Sequence, residues 1–420
     1  MAQTPPDYDA IVVGAGAAGL AATQRLCDAG RRVICLEAAD RIGGRSYTDT
    51  SIFGVPFDLG GHWLHYADVN AFIPIGQALG FDLYEAEDQL HFDCGLPESE
   101  MFERLAAVDI ALARHVDAGD DIPMTHAFAP QDAVDNTALL LKALSAGRDL
   151  DEISMAEWVT AGLEENNWFC RQGFGAIVCR NGADLPVRLN TPVSAITRTP
   201  QGVNVTTAHG TLRAARVIVT VSVGVLAAEA IRFDPPLAGA RLTALDYITM
   251  GTYNHAAMLF QEGTLPVGMD AWVSYPLSEI SGKMARGGGF LCNISGTGLT
   301  SFEHVGAFAR ELEAAGADVA VDFALSRLVD VFGTDIRKGF IKGHATRWGA
   351  NAHTRGAYSG TSPGGVGMRG TLREVHEGAV HFAGEAMNEG ETVTISGAHR
   401  EGLRAANEVL SALGHRTQSA

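Results

Sequence analysis

The chain has 420 residues, 46% of them hydrophobic and 19% charged, which fits a globular protein too long for a single core. Its 31 basic against 49 acidic residues leave a formal charge of −18, which argues against a sequence-independent binder of phosphate backbones and favours positively charged small molecules. The six cysteines form no C-x-x-C pair, and Cys170 and Cys179 have neither zinc nor thioredoxin spacing, so reduced core thiols are expected.

The first predicted elements are a short apolar strand, Ala10 to Val13, a turn holding Gly14, Gly16 and Gly19, and a helix. Strand, glycine turn and helix in that order form a dinucleotide site: Gly14 allows the tight turn, Gly16 the close approach of a pyrophosphate, and Gly19 close packing of helix on strand. The helix N-terminus then receives the phosphates. A second strand, "RRVICLEA", ends in Glu37, whose carboxylate can accept both hydroxyls of an adenosine ribose and would repel a 2′-phosphate. Arg45, in "ADRIGGRSYTDT", offers a fixed charge as a diphosphate or ribityl clamp. In "FDLGGHWLHYADVN", Gly60 and Gly61 permit close backbone approach, and His62, Trp63 and His65 supply rings for the floor of a pocket. With the first strand beginning within ten residues of Met1 and no apolar run of spanning length, neither a secretory leader nor a membrane span is expected, and the location expected is cytoplasmic.

Residues 72–176 alternate amphipathic helical stretches, such as "MFERLAAVDIALARHV", with polar loops, and read as a helical cap. From "LPVRLNTPVSAI" the period changes to two, with turns at Pro200-Gln201-Gly202 and His209-Gly210, predicting a β-meander that returns to the first domain at "RVIVTV". After the proline stop in "IRFDPPL", "MGTYNHAAMLF" reads as a strand, and "SFEHVGAFARELEAAG" and "DVAVDFALSRLVDVF" as helices. The last stretch, "VHFAGEAMNEGETVTISGAHREGLRAA", repeats the opening logic of strand, glycine and helix. The division expected is residues 1–71, 177–235 and 352–412 for a dinucleotide-binding domain, and 72–176 and 236–351 for a second domain.

Together, "GAGAAGLAA", "LEAADRIGGRSYT", "FDLGGHWLH", "VIVTVSVGVLAAEAIRFDPPL", "RGAYS" and "FAGEAMNEGETVTISGAHREGLRAA" resemble the flavin-dependent amine oxidases, the family of monoamine oxidases, polyamine oxidases and lysine-specific histone demethylases. The segment around Ser222 is most similar to the polyamine oxidase branch, which usually has proline there. The resemblance implies an α/β fold: a Rossmann-type FAD-binding domain with an interleaved α+β substrate domain. By that similarity the Gly14–Gly19 turn with Ala18, together with Glu37, Ala38 and Arg45, holds the adenosine diphosphate half of FAD. Val193 meets the adenine through its backbone, and Gly60, Gly61 and His62 lie beside the flavin. Glu385 binds ribityl or diphosphate oxygens, and Val393 presents a backbone amide to the N1 and O2 edge, where a helix dipole stabilises negative charge. Ala357 stands where monoamine oxidases carry the cysteine that links to flavin, so FAD is expected to be non-covalent.

The resemblance also assigns chemistry. Tyr358 matches one of two aromatic walls that steer an amine, the facing position being Thr394, and Trp348 resembles the tryptophan near the dimethylbenzene or N5 side. His65 matches an acidic or histidine position that contacts substrate nitrogen, and its ordinary pKa of about 6.5 would let it tune the amine's protonation. His255 stands where the family usually carries a lysine tied to rapid reaction with oxygen. The activity implied is oxidation of a small cationic primary or secondary amine by hydride transfer, with O2 or another acceptor taking the electrons. Alternatives are a desaturase or protoporphyrinogen-oxidase-like flavoenzyme and a flavin-binding protein with impaired catalysis. His62 and His65 have no carboxylate at metal-ligand spacing, so no metal is expected. No nucleic-acid module is visible, and the oligomeric state stays open.

Overall fold

In the computed structural model the described residues are 6–85, 90–92, 98–127, 139, 142–157, 166–237, 239–274, 280–281, 284–285 and 287–414. The β-branched run at the start of the chain forms the strand Tyr8–Val13, whose Ala10, Ile11 and Val12 are wholly buried. It belongs to an eight-stranded sheet ordered Arg232–Asp234, Val193–Thr199, Gly202–Thr207, Gly210–Val219, Tyr8–Val13, Val33–Leu36, Val187–Arg188, with Val380–Phe382 also on Gly210–Val219. The long strand Gly210–Val219 serves two purposes. Its first half continues the antiparallel meander, with Val203 opposite Ala214. Its second half lies between the strands from the two ends of the chain, pairing Val219 in parallel with Val13 on one side and with Phe382 on the other.

Both faces of this sheet are covered by apolar clusters, as parallel strands require. The first helix, Ala17–Asp28, packs on the C-terminal helix, Ile395–Leu413. They meet so closely that a Cβ on Gly402 would stand 2.0 Å from the Ala18 carbonyl oxygen.

The second sheet has six strands, ordered Phe340–Ala345, Tyr253–Phe260, Leu299–Val305, Gly288–Cys292, Ala271–Ser274 and Leu90–Phe92. All neighbours are antiparallel except the last pair. Leu299–Val305 is buried at every position, so both of its faces are occupied. Strand alternation sends Phe302 and His304 to one face, where they meet Phe290, Phe308 and Phe323. The other face carries Ser301 and Glu303, opposite Ala257 and His255 across the ladder.

Two expectations are corrected here. "SFEHV" is strand, and the helix begins only at Gly306, whose φ of +64° turns the chain out of the sheet. The three-residue spacing of Phe302 and Val305 favours a helical face, but ladder pairing on both sides of the segment decides for strand. Nor is the stretch from 72 to 176 purely helical: Leu83–Glu85 pairs with Trp168–Cys170, and Leu90–Phe92 joins the second sheet.

At Gly19 a Cβ would lie 1.8 Å from the Gly14 carbonyl oxygen, a backbone clash that no rotamer relieves. Gly19→Ala is therefore expected to destabilise the protein by about 1–3 kcal/mol or more. It should also lower the bound flavin per chain, read from a thermal melt and from the 450 nm absorbance of the purified protein.

Candidate active site

The opening turn is built as its sequence requires. Gly14 has φ +102° and leaves room for Thr220, whose hydroxyl bonds the carbonyls of Val13 and Gly14. Nothing stands within 4 Å of where a Gly16 side chain would begin, so the N-terminus of the first helix is open on that side. Glu37 closes the turn from the next strand, accepting the Ala15 amide at 2.6 Å and the Ala39 amide at 2.8 Å. Ala38 lies half-buried between these bonds. The Thr191 amide bonds the Glu37 carbonyl, and Val193 starts its strand two residues on, at the same edge. The Ala18 carbonyl faces Gly402, where the first helix packs on the last.

An ion pair between half-buried Arg45 and buried Glu385 ties the first segment to the last. Arg45 donates through Nη1 to Glu385 Oε1 at 2.9 Å and to the Ala357 carbonyl at 2.7 Å. Glu385 also accepts from the Ser359 amide and, at 2.7 Å, from the Ser359 hydroxyl, which Arg369 holds in turn. Burial alone would raise the Glu385 pKa, but Arg45, Ser359 and Arg369 together bring it below the usual value. Gly60 lies under Arg45 and Trp348, with room for a Cβ taken by the Arg45 carbonyl at 2.0 Å, and Gly61 lies against Ile395 at the start of the C-terminal helix. Val393 precedes that helix in the left-handed region, φ +57°, a conformation costly for a β-branched residue. The start of that helix therefore lies beside Gly61. These features suit FAD: an open helix start for the diphosphate, an acid at the second strand, and a half-buried arginine beside the turn.

Next to them lies a cluster of rings, beside a small cavity that Phe57, Asp58, His62 and His255 help to line. Trp348 is buried, its indole N–H bonded to the Leu59 carbonyl at 2.9 Å. Tyr358 donates to the Leu144 carbonyl at 2.8 Å and meets the Tyr253 ring at 5.7 Å. His62 is stacked on Phe169 and lies 5.5 Å from the His255 ring. Two expected positions have other attachments. The Thr394 hydroxyl caps the C-terminal helix, accepting the Gly397 amide and donating to the Glu391 carbonyl. His65 stacks on Trp63 and bonds Asn167 through Nδ1 at 2.8 Å, and burial lowers its pKa.

Among these rings is a buried carboxylate that sequence reasoning missed. Glu303 faces His255 across the ladder, receives the Tyr253 hydroxyl on Oε2, and places Oε1 3.4 Å from His62 Nε2. His62, His255 and Glu303 therefore do bring a carboxylate to histidines, each ligand atom within 4.8 Å of the others. Burial pushes Glu303 up to about 8 and His255 down to about 4, so at pH 7 the imidazole carries no charge. The signal for Glu303 was an acid next to Phe302 in a strand that is buried at every position.

A comparison with protein families matches residues 17–162 and 151–410 to the flavin containing amine oxidoreductases. Polyamine oxidase 4 of Oryza sativa subsp. japonica is 29% identical, over 96% of this chain and 88% of that protein. Lysine-specific histone demethylase 2 of Homo sapiens is 24% identical, over 97% of this chain and 54% of that protein. Among solved structures, cyclohexylamine oxidase from Brevibacterium oxydans IH-35A is similar with a TM-score of 0.81 and 22% identity, over 97% of this chain and 100% of that one. Putrescine oxidase bound to putrescine gives a TM-score of 0.81 and 21% identity, over 96% and 99%. The fold is the same.

Removing Arg45 leaves Glu385 buried with its charge only partly compensated. Arg45→Ala should cost about 3 kcal/mol or more in stability and release flavin during purification, measured by melting temperature and by the ratio of 450 to 280 nm absorbance. Glu303 sets a slope with pH. Between pH 7 and 8 the folded protein holds a proton on Glu303 that an unfolded carboxyl, at 4.5, has lost. Stability therefore falls as pH rises across that window, by about 1 kcal/mol per unit. Glu303→Gln should flatten this slope in melts at a series of pH values.

Proposed function

Since the chain belongs to the family of flavin containing amine oxidoreductases, we propose that it binds FAD non-covalently and oxidises a small, positively charged aliphatic amine to an imine, which water hydrolyses to a carbonyl compound and an amine. The observation that carries this reading is a convergence: the glycine turn with its Arg45–Glu385 pair and the ring cluster around Glu303 meet at Gly60–His62. Bound FAD supplies the acceptor for a hydride taken from the carbon next to nitrogen.

The protein's own residues do the rest. Amides at the start of the first helix and the Arg45 guanidinium hold the diphosphate region, with Glu37 at the ribose. The Ile395–Leu413 helix starts beside Gly61, which puts its positive end near the ring region. Tyr253, Tyr358, Trp348 and Phe169 enclose the amine and exclude water, which keeps the reacting carbon in one orientation. Ala357 offers no thiol for a covalent link, which supports non-covalent binding. A cationic substrate is supported by Glu303, by the chain's charge of −18, and by relatives named for polyamines, putrescine and cyclohexylamine. A cytoplasmic setting is supported by free thiols at Cys27, Cys35, Cys170, Cys179 and Cys292. No described helix is long and apolar enough to cross a membrane.

Neutral His255 leaves its position without the fixed positive charge that would favour electron transfer to dioxygen. The electrons are accordingly passed mainly to another acceptor, and the protein behaves in large part as a dehydrogenase.

Mixing the holoenzyme anaerobically with a panel of aliphatic amines should bleach the 450 nm band. Bleaching by isoprenoids or porphyrinogens instead, or by nothing tried, would reject the proposal. On admitting air, peroxide per amine should be well below one and slow to form, and His255→Lys should speed it by roughly tenfold or more. Fast, stoichiometric peroxide from the unaltered protein would remove the dehydrogenase reading.

A further inference from the structure

The Arg45–Glu385 pair ends a longer chain of hydrogen bonds. Glu157 accepts from Arg369 Nε at 2.8 Å and also from its Nη2. Arg369 Nη1 donates to the Ser359 hydroxyl at 2.8 Å and to the Ala386 carbonyl at 3.1 Å, and Ser359 donates to Glu385 Oε2 at 2.7 Å. The direction of these bonds is fixed. A guanidinium only donates, so the Ser359 oxygen accepts from Arg369 and its single proton goes to Glu385. Arg369 and Ser359 are 3% and 0% exposed, which shields the chain from competing water.

The two ends of the chain lie in different parts of the fold. Glu385 belongs to the last segment, beside the glycine turn, whereas Glu157 belongs to the stretch 72–176, which sequence assigns to the substrate domain. That stretch meets the strand Ser359–Thr361 and its neighbours at three further points. The Tyr358 hydroxyl bonds the Leu144 carbonyl, the Ser154 amide bonds the Thr361 carbonyl at 2.9 Å, and Arg148 Nη1 bonds the Ser362 hydroxyl at 3.2 Å. Among these contacts, the one through Arg369 continues to Glu385. It arrives on two sides, at the carboxylate through Ser359 and at the backbone of the next residue through the Ala386 carbonyl.

We propose that Arg369 and Glu157 are positioning residues for FAD: they set the Glu385 carboxylate from the substrate domain, so that retention of the cofactor depends on the docking of that domain. The inference rests on the reading of this chain as an FAD-dependent enzyme. Arg45 alone would hold Glu385 by Oε1 and leave the other oxygen free to turn; Ser359, kept in place by Arg369, fixes Oε2. The role needs the guanidinium fork as well as its charge, because one ammonium nitrogen cannot bond Glu157 on one edge and both Ser359 and Ala386 on the other. Glu157 matters as a charge. Without it Arg369 is drawn toward Glu385, whose carboxylate already feels its field, and competes there with Arg45. Arg148, also buried, faces both Glu157 and Arg369, so the loss of Glu157 leaves two guanidiniums repelling each other with less to offset it. By linkage the coupling runs both ways, and bound FAD holds the substrate domain docked.

The test follows FAD release from the holoenzyme after dilution, read as the rise in free-flavin fluorescence, alongside thermal melts. Glu157→Gln should release FAD about tenfold faster, and Arg369→Lys, which keeps the charge and loses the fork, should do the same. If Glu157→Gln does not fold, Arg369→Lys decides. Joining Glu157→Gln to Ser359→Ala should give a rate well short of the product of the two separate changes, since both break one chain. Asp121→Asn serves as control: Asp121 holds the Ser154 hydroxyl at 2.7 Å and the Gly364 amide at 2.6 Å, on the same docking surface but outside the chain from Glu157 to Glu385. It should lower the melting temperature while changing the release rate less than about twofold. Release that simply tracks melting temperature in every variant, or that Arg369→Lys leaves unaltered, would overturn the proposal and reduce the pair to domain packing. A protein that came without flavin and took none up would instead defeat the FAD reading itself.

Discussion

The fold depends on one hydrogen-bonded arrangement, the parallel pairing of Gly210–Val219 with Tyr8–Val13 on one side and Val380–Phe382 on the other. Strands buried on both faces must find ladder partners, because an unpaired backbone amide away from water costs as much as a lost hydrogen bond. Once those partners are the two ends of the chain, the glycine turn after Val13 and the glycine after Ala383 emerge at the same edge. The Arg45–Glu385 pair then forms across them. A pair of this kind adds little net stability, since desolvation offsets its attraction, yet losing one member is costly. It therefore makes the joining of the segments specific more than it makes it strong.

The second sheet contributes by register. Its ladder sets His255 opposite Glu303, and alternation points both toward His62 and away from the phenylalanine-rich core on the other face. A slip of one residue would send the carboxylate into that core and bring Phe302 or His304 to the cavity. Chemistry at this site thus depends on hydrophobic packing two layers behind it.

The glycine turn and the acid that follows the second strand were legible because each of their requirements is local. Gly14, Gly16 and Gly19 are spaced by one turn's geometry, and Glu37 lies one strand farther on. His255 was legible only as a departure from a resemblance, and the structure adds the reason it matters, a neutral ring beside an acid. Glu303 escaped because "SFEHVGAF" satisfies a helical period until Gly306 interrupts it, and because its partners, His62 and Tyr253, come from other segments of the chain. Thr394 was placed near the site, but that its hydroxyl is spent on capping a helix depends on where the helix starts. Ser359 closes the "RGAYS" motif without any hint of its bond to Glu385, and Arg369, which stands behind it, has no local signature.

The division of one binding surface among distant segments has a consequence for how the protein is made. A ribosome delivers the glycine turn first and the strand Val380–Phe382, Glu385 and the C-terminal helix last. A nascent or truncated chain owns half a nucleotide cradle and cannot retain its prosthetic group. Loading of the cofactor is in effect a proofreading step, passed only by chains that have been completed and have closed end to end.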